Sequence, residues 1–350
     1  MTISNKFTLH HLGSDSADFV VWDEFVNKCS KGTFFHLSGW KKVIENEFGH
    51  IGHYLYVTLN DNIVGVLPLV EQKSFLFGHT LISTPFCVYG GVASDTEEVM
   101  FYLEEKAIEL AKTLSVDYLE LRYPFERNNP ELIQKCAHSN FACSLGENEE
   151  DILVNVKKKQ RAVIRKSLKN ELVYRVDRDT ISAYQIYSQS VRNLGTPVFP
   201  KSYFDSLQKQ FDSQCNVLTV EHNSTPVSSV LSFYYKNEVI PYYGGGVEQA
   251  RSLKSNDFMY YKLMCEARVS KQCTSFDFGR SKDDSGAYNY KHTWGMEPKP
   301  LHYQYFLVKS DSLPNLSPNN PKYKFFIKMW TKLPIAVSQF LGPFLSKYLG

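Results

Sequence analysis

The chain has 350 residues, of which 43% are hydrophobic and 22% are charged, which is typical of a globular protein with room for two domains. The net charge of +2 does not indicate a broad nucleic-acid-binding face. Seven cysteines without CxxC spacing indicate a reducing compartment, and the polar start, MTISNKFTLHHLG, lacks the apolar core of a signal peptide. Without an apolar run of about 18 residues, we expect a cytoplasmic protein with no conventional transmembrane helix.

The first part of the chain has its strand and helix patterns in a definite order. A strand is followed by two helices, a strand hairpin across Asn60-Asp61-Asn62, a third strand, a helix and a returning strand. From the first helix onward, the patterns cover 12–29, 37–48, 53–59, 63–71, 80–88, 97–114 and 118–122. Glycine interrupts the pattern at Tyr89-Gly90-Gly91, where the third strand ends.

The second part of the chain repeats this order. A hairpin, a third strand ending at Gly244-Gly245-Gly246, a long helix and a short strand cover 215–222, 226–235, 238–243, 256–271 and 275–278. A helix between two strands is the crossover that parallel pairing requires, whereas the hairpins are antiparallel. We therefore predict an α/β fold with two mixed sheets that arose by internal duplication.

A basic segment joins the two halves. No acidic residue lies between Asp151 and Glu171, and the segment carries seven cations: Lys157, Lys158, Lys159, Arg161, Arg165, Lys166 and Lys169. One interpretation is a solvated helix that links two domains. The other is a site for an anionic ligand or an anionic membrane surface, because arginine forks bind phosphates bidentately. The predicted boundaries are 1–150 for the first domain, 151–170 for the linking helix, 171–310 for the second domain and 311–350 for a tail.

The stretch FDFGRSKDDSGAYNYKHTWG, at 276–295, is the most distinctive in the chain. Its pattern predicts a strand ending at Gly279, a polar loop from Arg280, and a short helix from a Ser285 N-cap to a Gly295 C-cap. A strand that ends and opens a helix can bind an anion through free backbone N–H groups. The alternative is a buried strand followed by a capped turn.

This stretch resembles the C-terminal signature of the FemAB-like acyltransferases, in which a strand glycine precedes an aromatic-Lys-x-x-aromatic-Gly run. The resemblance extends to LHYQY after the stretch, and upstream to GTPVFPKSYF (195–204), KKKQRAVIRKS (157–167) and FFHLSGW (34–40). It is strongest to the subgroup associated with exosortase-type protein sorting and exopolysaccharide loci. It implies two GNAT-like domains that transfer an acyl group, often an amino acid, to an amine.

The resemblance singles out Lys291 as the candidate catalytic residue, since the matching lysine lies in the substrate channel of the family. An ammonium there could stabilise an oxyanion, and a desolvated, neutral amine could act as a base. The alternatives are a lysine stem that covers aromatic rings, or an ion pair with Asp283 or Asp284. The candidate substrate-binding residues are Tyr242, Tyr243, Gly245, Arg280, Tyr288, Tyr290, Trp294, Arg161, Arg165, Lys166, His36 and Trp40. No metal site is predicted.

The acyl donor is left open by two departures from known patterns. The Q/R-x-x-G-x-G/A loop that holds acetyl-CoA in ordinary GNAT enzymes is replaced by GGGVEQAR at 244–251. The helical hairpin that some FemAB-like members use for tRNA contact is absent. We therefore expect no permanently bound cofactor, a donor that is either an aminoacyl-tRNA or an acyl-CoA, and no sequence-specific nucleic-acid partner.

The C-terminal tail combines lysines with large apolar residues. After Asp311 no acidic residue occurs, and 322–348 contains five lysines among aromatic and aliphatic side chains, interrupted by Pro334 and Pro343. This composition is typical of an interfacial anchor, here at the inner membrane, and a segment packed back on the domain is the alternative.

Together these patterns predict an acyltransferase that acts on an anionic cell-envelope or exopolysaccharide precursor. Two alternatives stay open. The first is a CoA-dependent N-acetyltransferase-like enzyme, and the second is an inert binding or scaffold protein with the same fold.

Overall fold

The computed structural model describes residues 6–13, 15–313 and 321–349, which form two compact units. Unit 1 consists of the described residues within Met1–Ala137, Pro300–Pro314 and Tyr348–Gly350. Unit 2 consists of the described residues within His138–Lys299 and Asn315–Lys347. The seven cysteines are all free, so no disulfide links any part of the chain.

Unit 1 is a seven-stranded mixed sheet with three helices. Its elements are β1 (Thr8–His11), α1 (Ser16–Lys28), α2 (Gly39–Phe48), β2 (Ile51–Leu59), β3 (Asn62–Ser74), β4 (Gly78–Ser83), α3 (Glu97–Leu114), β5 (Tyr118–Tyr123), β6 (Ile133–Lys135) and β14 (His302–Leu307). The strand order is β1-β2-β3-β4-β5-β14-β6. Only β4 and β5 pair in parallel, and α3 is the crossover between them.

Unit 2 has a second seven-stranded sheet. Its elements are β7 (His138–Ser144), α4 (Glu149–Asn155), α5 (Lys158–Ser167), β8 (Leu172–Asp177), α6 (Thr180–Asn193), α7 (Lys201–Phe211), β9 (Cys215–His222), β10 (Thr225–Tyr235), β11 (Glu238–Gly246), α8 (Ala250–Leu253), α9 (Ser255–Ser270), β12 (Ser275–Lys282), α10 (Gly286–Thr293), β13 (Pro298–Pro300), α11 (Pro321–Trp330) and α12 (Ile335–Ser346). The strand order is β13-β7-β12-β11-β10-β9-β8. The β11–β12 pair is parallel, with α9 as its crossover.

The two sheets have the same topology. Read from β8, the second sheet runs β8-β9-β10-β11-β12-β7-β13, which matches β1-β2-β3-β4-β5-β14-β6 position by position. In each unit two helices join the first and second strands, and one long helix crosses between the fourth and fifth. The predicted α/β class with duplicated mixed sheets is confirmed.

The sixth strand of each sheet comes from an unexpected part of the chain. β7, which lies inside the predicted first domain, pairs with β12 of unit 2, and its Phe141 is fully buried in the unit 2 core. β14 contains the LHYQY run and returns to unit 1, where it pairs with β5 and β6. The division after Ala137 therefore differs from the boundary placed at residue 150, because these strands bury their apolar faces in the unit they join.

The segment expected to be a linking helix instead belongs to unit 2. It forms two helices, α4 and α5, which are separated at Val156 and Lys157. The apolar side chains of Ile152, Val156 and Ile164 lie in the unit 2 core, which explains why the segment is not a free-standing linker.

The C-terminal tail forms α11 and α12, and both helices belong to unit 2. Trp330 is buried, Gln339 Nε2 donates to Ser188 Oγ at 2.8 Å, and Gly342 packs against Val198. Lys322 and Lys324 are part of the predicted anchor, but their side chains lie outside those that the structure describes. Within the described residues, no helix has the length and apolar character needed to cross a bilayer.

Candidate functional site

Strand β12 does not end at Gly279 as predicted. It continues to Lys282 through an irregularity in its pairing with β7 between Asp277 and Arg280. Gly279 adopts a positive φ of 74°, and its N–H donates to Asp277 Oδ1 at 2.8 Å. Asn140 Nδ2 donates to the same oxygen at 2.8 Å. The buried Asp277 carboxylate therefore holds this bulge in a fixed shape.

Lys291 binds the bulge from helix α10, which Ser285 caps as predicted. Its Nζ donates to the carbonyl oxygens of Gly279 at 3.0 Å and Arg280 at 2.9 Å. The ammonium is 5.3 Å from the Phe278 ring centroid. The ion pair with an aspartate that the sequence allowed is not formed, because Asp283 instead accepts a hydrogen bond from Ser139 Oγ at 2.7 Å.

The surroundings of Lys291 change its protonation. Burial among aromatic rings lowers its pKa from 10.5 to about 8; the negative charge of Asp277 opposes this shift, and Arg280 adds to it. At pH 7 about a tenth of the side chain is therefore neutral, which is a useful fraction for a general base. The protonated majority can donate hydrogen bonds to an oxyanion.

Aromatic rings surround this lysine and form one cluster. The ring centroids of Tyr260 and Phe278 are 4.6 Å apart, and those of Tyr290 and Trp294 are 6.2 Å apart. Phe278 joins the two pairs, since it lies 6.0 Å from Trp294. The structure thus brings together the predicted residues Lys291, Tyr290 and Trp294. Tyr288 lies beside them and packs against Phe141 with centroids 5.1 Å apart.

A cavity of about 650 Å³ opens beside Tyr290. Its lining comes from the ends of α6 and β11, the start of α9, and α10. Asp257 lies in its wall and is 9% exposed. Asp257 Oδ1 accepts hydrogen bonds from Tyr290 Oη at 3.0 Å and from Gln160 Nε2 at 2.5 Å. Both donors orient the carboxylate.

Asp257 was missed by the sequence analysis. In the sequence it resembles any acidic residue in the first turn of a helix, where it complements the helix dipole. Only the folded chain places it beside Tyr290. Burial, followed by the charge of Asp257, raises the pKa of Tyr290 well above its usual value, so its hydroxyl stays protonated and can donate.

Two cations also line the cavity. Arg251 and Lys254 line it just before α9, and neither forms an ion pair among the residues that the structure describes. A cavity lined by one carboxylate and two cations favours a ligand that carries both an ammonium and an anionic group.

The glycines at the end of β11 allow neighbouring helices to pack closely against the strand. A Cβ on Gly244 would lie 2.7 Å from Tyr260 Oη, and one on Gly246 would lie 2.6 Å from Asn256 Oδ1. At Gly245, the predicted ligand contact, a Cβ would lie 2.6 Å from Ser190 Cβ. The absence of side chains therefore lets α6 and α9 pack closely against the strand.

Tyr242 and Tyr243 do not line this cavity. Tyr243 is buried, and its Oη lies 2.9 Å from that of Tyr203, which belongs to the GTPVFPKSYF motif. Tyr242 packs against Phe233 with centroids 5.4 Å apart. These tyrosines thus join the aromatic core beneath α7, and not the wall of the cavity formed by Tyr290.

The two candidates in FFHLSGW lie in the core of unit 1. His36 is 3% exposed, and its Nε2 lies 2.8 Å from the carbonyl oxygen of Gly91. Trp40 is fully buried, and its Nε1 donates to the carbonyl oxygen of Phe34 at 3.1 Å. Both side chains hold backbone segments in place, which is the role of satisfied core residues.

The three predicted cations of α5 have different surroundings. Arg161 Nη2 donates to the carbonyl oxygens of Val154 at 2.8 Å and Val156 at 3.1 Å, which caps the end of α4. Arg165 and Lys166 are exposed and line an open cavity of about 570 Å³ along α5, together with Arg161 and other cations of the helix. Arg280, the remaining candidate, is half-buried and contributes its carbonyl to Lys291.

Among the residues that the structure describes, no group of three or more His, Cys, Asp or Glu side chains is arranged to hold a metal ion.

Comparison with known proteins finds a family model that matches part of the chain. Residues 155–292, which lie within unit 2, match the model of an acetyltransferase (GNAT) domain. Unit 2 is a GNAT-like domain. No curated protein matches the sequence significantly.

Solved structures extend the GNAT likeness to both units. A crystal structure of FemX has a TM-score of 0.66 and 14% identity, covering 91% of this chain and 100% of that one. L-PGS from Bacillus licheniformis has a TM-score of 0.57 and 10% identity, covering 91% of this chain and 98% of that one. A tandem GNAT protein from the clavulanic acid biosynthesis pathway has a TM-score of 0.55 and 12% identity, covering 87% of this chain and 100% of that one. At such identities these likenesses establish the fold, and with the GNAT match they support the prediction of an acyltransferase.

Proposed function

We propose that this protein transfers an aminoacyl group to an amine on an anionic cell-envelope precursor, with unit 2 as the catalytic unit. The observation that carries the proposal is the pair of neighbouring residues on α10. Lys291 is a desolvated lysine with a pKa near neutrality, and Tyr290 is hydrogen-bonded to a carboxylate in a cavity wall. A site of this kind supplies two of the things that acyl transfer to an amine needs: a proton acceptor and hydrogen-bond donors for the oxyanion.

The reaction requires no covalent intermediate with the protein. The neutral acceptor amine attacks the acyl carbonyl carbon, a C–N bond forms, and the carbonyl oxygen becomes an oxyanion. Lys291, as an ammonium, or the Tyr290 hydroxyl donates a hydrogen bond to that oxygen. The tetrahedral intermediate then expels the oxygen or sulfur of the donor, and the proton lost by the amine leaves with it. In the alternative role, neutral Lys291 takes the proton from the amine.

The choice of an aminoacyl donor rests on Asp257. Its carboxylate would bind the α-ammonium of an aminoacyl group, which a simple acetyl group lacks. Arg251 and Lys254 would meet the phosphates of the donor, whether these belong to the end of a tRNA or to another nucleotide. In this proposal the donor is supplied from the cytoplasm and is bound only during turnover.

The choice of an anionic acceptor rests on α5. Arg165 and Lys166 are exposed on it, and no described carboxylate pairs with either. A phosphate or diphosphate that links the acceptor to a nucleotide or lipid would bind them. An exopolysaccharide or exosortase-linked precursor would satisfy this requirement, as the sequence resemblance implies.

A CoA-dependent N-acetyltransferase is the second candidate, and the match of unit 2 to the acetyltransferase (GNAT) model favours it. An inert scaffold with the same fold is the third, and it predicts binding without turnover of any donor.

Ligands retained on the purified protein, identified by mass spectrometry, would guide a thermal-shift screen of aminoacyl nucleotides and acyl-CoA thioesters. We expect aminoacyl nucleotides to raise Tm, and Asp257→Asn to abolish that rise. Protection by acetyl-CoA that Asp257→Asn leaves unchanged would instead establish the second candidate. Asp205→Asn, on α7, is the matched control because it removes a carboxylate that does not line the cavity.

A further inference from the structure

Helix α12 buries small residues and exposes large apolar ones, which is the reverse of the usual amphipathic arrangement. Its buried side is a stripe of small residues, Ser338, Gly342 and Ser346. Its large apolar side chains face outward instead, with Phe340 and Phe344 70% and 60% exposed. A helix that only packed on its domain would bury the large apolar residues and expose the small polar ones.

Helix α11 adds to the exposed apolar surface. Phe325 and Met329, one turn apart, are 68% and 57% exposed. Trp330 is buried, so the helix itself is anchored to unit 2 while these two side chains remain outside. We call the exposed side chains of the two helices the tail face: Phe325, Met329, Val337, Phe340, Leu341 and Phe344.

The charged residues of the tail itself are all of one sign. Lys328 is exposed next to Met329, and Lys332 is exposed between the two helices. No acidic residue occurs anywhere after Asp311. A protruding apolar surface edged by lysines is complementary to a bilayer with anionic headgroups, where aromatic side chains enter the interface and lysines remain at the phosphates.

We propose that the tail face docks this protein on an anionic membrane surface. The occupant is a lipid bilayer, for two reasons. The apolar side chains protrude from helices, whereas a protein partner would need a complementary groove. Pairing of two tail faces in a dimer would bring the lysines of each copy against those of the other, which like-charge repulsion opposes. The docking does not depend on the identity of the acyl donor, so it stands or falls separately from the proposed activity.

Co-sedimentation of the full chain with vesicles tests the proposal. Wild type is expected to bind vesicles that contain phosphatidylglycerol, to bind pure phosphatidylcholine weakly, and to dissociate as salt increases. Phe340→Ser with Phe344→Ser should lower the partition coefficient by about tenfold or more on anionic vesicles. Lys328→Gln with Lys332→Gln should lower it roughly thirtyfold on anionic vesicles, and leave binding to neutral vesicles nearly unchanged.

A matched control removes exposed apolar surface from another helix. Val20 and Val21 on α1 are 58% and 53% exposed, and Val20→Ser with Val21→Ser should leave vesicle binding unchanged. Each variant is checked for an unchanged circular dichroism spectrum and melting curve. The proposal is overturned if folded Phe340→Ser/Phe344→Ser binds vesicles as well as wild type. It is also overturned if wild type binds no anionic vesicle but forms a dimer that this variant abolishes.

Discussion

Each unit has a cation beside its fifth strand, and the two cations are used differently although the sheets have the same topology. In unit 1, Arg122 on β5 donates through Nη1 to the carbonyl oxygen of Cys87 at 2.7 Å and through Nε to Glu120 at 2.7 Å. In unit 2, Lys291 donates to two carbonyl oxygens beside β12 but has no carboxylate in contact. The carboxylate of Glu120 helps to raise the pKa of Arg122, whereas desolvation lowers the pKa of Lys291, a shift that is common at functional sites.

The chain segment that follows the fourth strand also differs between the units. In unit 1 it turns back after Ser83, since Thr84 and Phe86 have φ values of 48° and 69°. The N–H groups of Gly90 and Gly91 then donate to the Arg122 carbonyl oxygen at 3.2 Å and 2.9 Å. The chain itself thus covers the end of β5. In unit 2, β11 continues to Gly246, and its end forms part of the lining of a cavity.

The largest effect is expected from removing the neutralised charge of unit 1. Arg122→Met leaves Glu120, which is 6% exposed, buried without its partner, and should lower the free energy of unfolding by about 3–5 kcal/mol. Urea denaturation measures this loss. Arg122→Met with Glu120→Gln should recover a substantial part of it. If the single variant is as stable as wild type, the ion pair is not what holds this end of the sheet.

Lys291→Met is expected to act on turnover. With a donor and acceptor identified, kcat should fall by about 100-fold or more, equivalent to about 3 kcal/mol of transition-state stabilisation, while the Kd of the substrates changes little. Single-turnover kinetics separate the two quantities. Lys282→Met, at the end of β12, is the control because it removes the same single positive charge. A kcat within threefold of wild type would remove Lys291 from the mechanism.

The sequence predicted Lys291 on a Ser285-capped helix and, in each unit, the order of a hairpin, a third strand, a helix and a returning strand, because these follow from local patterns. It did not predict that β7 and β14 each complete a sheet across a domain boundary. Strand type is a local property, whereas the partner of a strand is decided by long-range burial, as at Phe141. For the same reason the sequence did not show that Ser190 lies against Gly245.

The pKa of Lys291 also predicts how stability depends on pH. The unfolded chain keeps this proton up to pH about 10.5, and the folded chain loses it near pH 8. Between these values the unfolded state binds more protons, so the lysine makes the folded state more stable as pH rises. The difference in unfolding free energy between wild type and Lys291→Met should rise by about 1.4 kcal/mol per pH unit from pH 8 to pH 10. A difference that stays constant would mean that the amine is solvated.

The smallest effects are expected from substitutions of the cations of α5. These cations share one face of the helix but have different surroundings. Arg161→Ala removes the cap on two carbonyls of α4, so it should lower the free energy of unfolding by about 1–2 kcal/mol. Arg165→Ala with Lys166→Ala removes two exposed charges, so the free energy of unfolding should change by less than about 0.5 kcal/mol. Inorganic pyrophosphate binding, measured by calorimetry, should instead weaken by several-fold in the double variant, since both side chains are free to hold a diphosphate. If Arg161→Ala weakens binding as much and leaves stability alone, then its fork serves the ligand and the cap on α4 is incidental.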